Sequence, residues 1–194
     1  MQFVDILRSF LSFCIILLIA IYGANGARYV GKSAAAAGKY IDKSQNAQCE
    51  GCMELGHPRA HASDPDATGP RDSVERYSES TGQPKSGFLS KDDQNLVAHH
   101  ALSHNMSQDA MKLLNKGKYT MNVTLANNEF PIALPKMKVF YNGKPSNKAH
   151  DIGHVVLVLK NYEGKRGNKD ADVFIYTMYP MIGSYWLLDY DITV

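Results

Sequence analysis

"SKDDQNLVAHHALSHNMSQDAMKLLNKG", residues 90–117, decides how the rest of this 194-residue chain is read. Ser90 stands three residues ahead of Asp93, the spacing at which a hydroxyl and a carboxyl close the first turn of a helix. Leu96, Val97, Ala101 and Leu102 then recur at helical spacing, which predicts a helix over residues 91–105. Ser107, with Asp109 in the first turn, is placed to cap a second helix through Ala110, Met111, Leu113 and Leu114 that stops before Gly117. Past Gly117 the apolar period shortens, and strands are expected over residues 119–125, 132–141, 155–161, 173–179 and 186–193. "NG" at 142–143 and the polar run "EGKRGNKDA" at 163–171 are turn signals, the second joining two antiparallel strands. Helices followed by a run of strands specify an α+β fold, with N-terminal helices packed on a four- or five-stranded antiparallel sheet.

Towards the N-terminus the composition changes. "SAAAAGKY", "SDPDATGPRDS" and "SESTGQPKSG" are small, polar and punctuated by Pro and Gly, so residues 27–88 read as a poorly ordered linker or pro-segment with a short helix over 34–41. Residues 89–194 are then the globular domain. Residues 9–22, "SFLSFCIILLIAIY", form an uncharged apolar run shorter than the roughly 20 residues that span a bilayer and suited to the core of a secretory signal. Ala24 and Gly26 fit a cleavage site that leaves Ala27 first, so residues 1–26 are expected to be a signal peptide. The alternative is an uncleaved membrane anchor, favoured by Arg28, Lys32, Lys39 and Lys43 beyond the run. Either way the protein is secreted or membrane-tethered.

Bulk composition excludes little. A hydrophobic fraction of 44% and a net charge of +2 describe a folded domain with no strong bias towards acidic or basic partners. Cys14 lies in the apolar run, which leaves Cys49 and Cys52, too few for a disulfide-dense scaffold. Asn105-Met-Ser107 and Asn122-Val-Thr124 are acceptor sequences for glycosylation in a eukaryotic secretory pathway. From Lys112 to Lys148 seven lysines face a single acid, Glu129, with Tyr119, Phe130 and Tyr141 interleaved. That stretch suits a nucleic-acid backbone and stacking on bases, or equally the solvation of exposed sheet edges.

Histidines form the chemical signal. "CEGCMELGHPRAH" places Cys49, Cys52, His57 and His61 in C-x2-C-x4-H-x3-H order, four ligands of the type zinc takes, while in an oxidising compartment the two thiols pair with each other instead. "AHHALSH" groups His99, His100 and His104, and "HDIGH" adds His150 and His154. Neutral imidazoles on a divalent metal, a further imidazole to deprotonate water and an amide to orient it make a hydrolytic site for phosphodiesters. In a structural role, His100 and His104 would instead share one helical face and His150 and His154 flank a strand.

The order Ala98-His99-His100, then "LLNKGKY" before "ANNEFPIALP" with its Asn ahead of an apolar-Leu-Pro stretch, then His150-Asp-Ile-Gly-His154, resembles the HNH nuclease superfamily over about 60 residues. The likeness is to the Ala-His-His branch found in bacterial toxin nucleases. That resemblance implies His99, His150 and His154 as ligands to Mg, Mn or Zn, His100 as general base, Asn128 or else Asn127 orienting it, and nucleic acid as substrate. "GHVVLVLKNY" also looks like the histidine strand of papain-like cell-wall amidases, which would pair His154 with Cys49 or Cys52 as nucleophile. Two further readings stay open. One is a non-enzymatic secreted module that binds a protein partner, similar in its helix-then-sheet order to cystatins but without their Gln-x-Val-x-Gly loop. The other is a metal-free ribonuclease of the helix-plus-four-strand toxin type, using His and Lys as acid and base.

Overall fold

The computed structural model describes residues 29–49, 53, 55–63, 73–162 and 173–183. The expected signal or anchor and its run at 9–22, the strand at 186–193 and the turn at 163–171 lie outside them. Among the described residues no helix is long and apolar enough to cross a membrane.

The fold is α+β, with four α-helices and two antiparallel sheets among the described residues. Helix α1 (Ala34–Ser44) opens where the Ser33 hydroxyl accepts the Ala36 N–H at 3.2 Å. It buries Ala37, Gly38, Ile41 and Ser44, one stripe along the helix. A one-turn 3-10 helix (Pro58–His61), α2 (Ser73–Thr81) and β1 (Lys85–Phe88) follow. Tyr29, Ala37, Ile41 and Phe88 all enter the main core. The described part of residues 27–88 is therefore folded body and not a linker. Its small side chains bury area without leaving a long apolar period, which hides them from a reading of pattern.

Helix α3 (Lys91–Ser103) begins as expected, with the Ser90 hydroxyl accepting the Asp93 N–H at 3.0 Å. It ends at His104, whose extended backbone (ψ 143°) breaks the helix and whose Nδ1 accepts the Met106 N–H to start α4 (Asn105–Asn115). The second cap is thus His104 and not Ser107. The helix starts three residues earlier than expected, and Ser107 is buried inside it.

Strands β2 (Thr120–Ala126), β6 (His154–Asn161) and β7 (Val173–Met181) make one sheet with β6 in the centre. Strand β3 (Lys136–Tyr141) is the middle of the other. It carries β1 on one side, and β4 (Lys144–Pro145) and β5 (His150–Asp151) one after the other along its far edge. Asn142 (φ 48°) and Gly143 (φ 74°) form the two-residue turn between β3 and β4. The single four- or five-stranded sheet gives way to two because β2 and β3 do not form a hairpin. Residues Asn127–Glu129 turn in a 3-10 coil, and Pro131 and Pro135 cannot donate to a ladder, so β3 begins only at Lys136 rather than at 132.

The apolar run of β6 reflects cover on both faces. Val155, Leu157 and Leu159 meet the helices in the main core, while Val158 on the other face packs on a small cluster of Ala47, Cys49, Phe174 and Tyr176. Leu157→Ala should lower unfolding free energy by about 2–5 kcal/mol, because Leu157 is wholly buried in the central strand. Leu113→Ala, at a half-exposed position of α4, should cost less than about 1 kcal/mol. Denaturant midpoints of the two variants measure the contrast.

Candidate active site

The regular alternation of β7 is broken once. Val158 of β6 pairs with Thr177, but its neighbour Leu159 pairs with Ile175, which leaves Tyr176 as an extra residue. Val173 and Ile175 before the bulge and Met178 after it all point into the main core. A strict period of two puts Phe174, Tyr176 and Met178 on one face and Ile175 and Thr177 on the other. The bulge changes this, and Thr177, Tyr179 and Met181 come to line a cavity of about 280 Å3 on the face away from α1, α3 and α4.

Strands β1 and β3 supply the opposite wall, with Lys85 and Ser86 from the first and Met137 and Val139 from the second. The Ser86 hydroxyl ties the two walls together by donating to the Pro180 carbonyl. Tyr77 of α2 stands at the rim with the Lys85 ammonium 4.7 Å above its ring. The 3-10 turn closes the cavity and brings His57 and His61 to it. Gly87 lets β1 approach this turn, since a β-carbon there would sit 2.8 Å from the Val74 side chain and 3.1 Å from the His61 carbonyl oxygen.

Both imidazoles are oriented from behind. His57 donates its backbone N–H to the Tyr176 carbonyl at 2.7 Å, its ring stands edge-on to Tyr176, and its Nδ1 is 3.0 Å from the Leu55 carbonyl. His61, 7% exposed, has its Nδ1 3.0 Å from the Ser86 carbonyl and its ring beside that of Tyr179. A carbonyl only accepts, so Nδ1 carries the proton in each ring and Nε2 is the nitrogen with a lone pair to offer. The ring centres are 6.3 Å apart. Burial lowers the His61 pKa to about 4; the Ser86 carbonyl opposes the shift, and the neighbouring His57 and Lys85 add to it. His61 is therefore neutral at physiological pH. Thr177 also lines the cavity, with its hydroxyl shielded from solvent and without a hydrogen-bond partner among the described residues.

The other expected site residues lie elsewhere. His99 is on α3, its Nδ1 3.1 Å from the Tyr29 hydroxyl and its ring beside that of His100. The His100 pKa is lowered by partial burial and by His99. His150 sits on β5 opposite Met137, its pKa lowered by burial and by Lys148 against the opposing pull of Asp151. His154 opens β6 between Ala126 and Met181. Asn127 has a structural role: its backbone N–H donates to the Gly153 carbonyl and its side chain to that of Ile152. Asn128 beside it is exposed. Among the described residues no group of three or more His, Cys, Asp or Glu side chains is gathered in a way that could hold a metal ion. His99, His150 and His154 are thus not brought together around one.

Cys49 is disulfide-bonded and buried, so its sulfur is not a thiolate for zinc beside His57 and His61, nor a nucleophile for an amidase. Cys52 lies outside the described residues. Of the lysines in the basic stretch, Lys112 pairs with Asp109 and Lys136 with Asp151. The sequence signal for the cavity was the His57-x3-His61 spacing in "GHPRAH", but nothing local tied it to a threonine and a tyrosine more than a hundred residues on. No family model, curated protein or solved structure matches the chain.

Neutral His61 links stability to acid. The unfolded chain takes up a proton near pH 6.5 and the folded chain only near 4, so the stabilisation is complete above pH 6.5 and is lost as pH falls through that window. A shift of this size corresponds to about 3 kcal/mol. Urea unfolding between pH 7.5 and 4 should show that loss, and His61→Gln should flatten it.

Proposed function

We propose that the protein is a metal-independent ribonuclease whose reaction occurs in the cavity holding His57 and His61. The observation that carries this reading is the pair of imidazoles, each with Nδ1 on a backbone carbonyl and Nε2 unpartnered among the described residues, lining one cavity with a lysine. Such a set serves proton transfer and the stabilisation of a developing oxyanion. The described lining contains no carboxylate of the kind that magnesium favours. RNA fits because it brings its own nucleophile, the 2′-hydroxyl, and needs from the protein only a base, an acid and donors for the phosphorane oxygens.

Neutral His61 takes the 2′-hydroxyl proton on Nε2 as that oxygen attacks phosphorus. The P–O5′ bond breaks, and the leaving 5′-oxygen receives a proton from protonated His57, giving a 2′,3′-cyclic phosphate and a free 5′-hydroxyl. Lys85 and Tyr179, which line the cavity, are the donors for the non-bridging oxygens as these gain charge. The disulfide at Cys49 supports an oxidising compartment, and so the secreted or membrane-tethered placement drawn from residues 9–22.

The full chain should cleave single-stranded RNA in excess EDTA, leave the all-deoxy oligonucleotide intact, and accumulate 2′,3′-cyclic ends. His57→Ala and His61→Ala should each lose about 100- to 10,000-fold in kcat/KM, while His100→Ala retains parental activity. Cleavage that EDTA abolishes and that falls with His100→Ala but not with His61→Ala would restore the metal-dependent nuclease built on His99, His150 and His154. No cleavage of any polymer would favour the binding module.

A further inference from the structure

We propose that Arg59 is the positioning residue of this cavity: its guanidinium fastens the turn that carries His57 and His61 to α1 and α3, and so sets how the two imidazoles face each other. The inference rests on the reading of that cavity as the reaction site. The turn has little stability of its own. It is a single 3-10 coil held internally by the Ala60 N–H to the His57 carbonyl at 3.0 Å and the Ala62 N–H to the Arg59 carbonyl at 3.2 Å. Besides the His57 N–H on the Tyr176 carbonyl and the His61 ring on the Ser86 carbonyl, its anchorage comes from the residue halfway between the histidines. Arg59 donates Nε to Asp42 Oδ1 at 2.8 Å, Nη1 to Gln94 Oε1 and Asn95 Oδ1 at 2.9 Å each, and Nη2 to the Gly38 carbonyl at 3.1 Å.

The backbone on either side is held as well. The Arg59 N–H donates to Gln45 Oε1 at 3.0 Å, and the fully buried Gln94 donates Nε2 to the Pro58 carbonyl at 2.7 Å. Two of the four guanidinium acceptors belong to α1 and two to α3, and the side chain is only 12% exposed. Gly38 permits that approach, since a β-carbon there would lie 2.8 Å from Asn95 Nδ2. A planar fork with five donors spans acceptors on two helices at once, whereas a lysine ammonium is a point charge with three donors and cannot reach all of them. Asp42 supplies the opposite charge to Arg59 on the helix side, while Lys85 and His57 are the charged or titratable neighbours acting on His61 on the cavity side.

The test uses the full chain with Arg59→Lys, Arg59→Gln and the milder Asn95→Ala. Each is followed by thermal unfolding, by NMR titration of the His61 ring C–H resonances, and by kinetics on a single-stranded oligoribonucleotide. In Arg59→Lys and Arg59→Gln the His61 midpoint should rise from about 4 towards 6.5 by a unit or more as the turn loosens and water reaches the ring. Their kcat should fall about 100-fold with KM changed far less. Asn95→Ala, which removes one acceptor and keeps the fork, should move both readouts in the same direction by a smaller amount, and it decides the matter should the arginine variants fail to fold. An unchanged His61 midpoint with parental kcat in Arg59→Lys, or in Asn95→Ala if that is the variant that folds, would overturn the proposal. If the parent chain cleaves no RNA, the ribonuclease reading fails by itself, and the His61 titration alone still decides whether Arg59 positions the turn.

Discussion

The β-bulge at Tyr176 is the constraint on which the site depends. A strand gives alternate residues to alternate faces, and β7 has one face committed to the helices through Val173 and Ile175. With unbroken alternation Thr177 would fall on that same face and Met178 on the other. The extra residue shifts the parity, so Met178 stays in the core and Thr177 and Tyr179 turn towards β1 and β3. The carbonyl of Tyr176 also receives the His57 N–H. One local irregularity therefore aims the hydroxyl-bearing residues into the cavity and docks the turn that brings the histidines.

Burial separates the histidines more sharply than their spacing does. His99, His100, His150 and His154 are all partly exposed, on α3 or at strand ends. His61 is enclosed, and desolvation outweighs the hydrogen bond that would favour its cation. Keeping an imidazole neutral in this way lowers the stability of the acidified protein, and the Thr177 hydroxyl beside it gives up hydration with no protein partner in return. Two such features in one cavity mark a place where packing alone does not account for the residues chosen.

What was legible in the sequence was what is local. Helix α3 is read to within two residues from the Ser90 cap and the recurrence of Leu96, Val97, Ala101 and Leu102, and β6 and β7 are found from their apolar runs. The Asn142-Gly143 turn likewise follows from residue type alone. Separation into two sheets was not legible, because it depends on which strands β2 and β3 fail to pair with. The bulge was hidden too, since "DVFIYTMYP" reads as plain alternation until β6 fixes its register. His57 and His61 stood out only through their spacing from Cys49 and Cys52, which suggested a shared ion. The disulfide at Cys49 takes its thiolate out of such a set, and each ring is held through Nδ1 on a backbone carbonyl.

The segment before residue 89 looks dispensable by composition and is structurally central. It covers β6 and β7 twice, with α1 on the helical face and, on the other face, a short ladder in which Asn46 and Ala47 bond Gly56 and Gln48 pairs with Leu55. That second cover gives way beside Tyr176, where His57 leaves the ladder, and β1 and β3 take over along Thr177 and Tyr179. The cavity forms at the seam between these two covers. A seam of this kind encloses a side chain on most sides yet keeps a rim, here Tyr77 and Lys85. An α+β core of residues 89–194 alone would hold Thr177 and Tyr179 but neither imidazole, so fold and site are completed by the same small-residue segment.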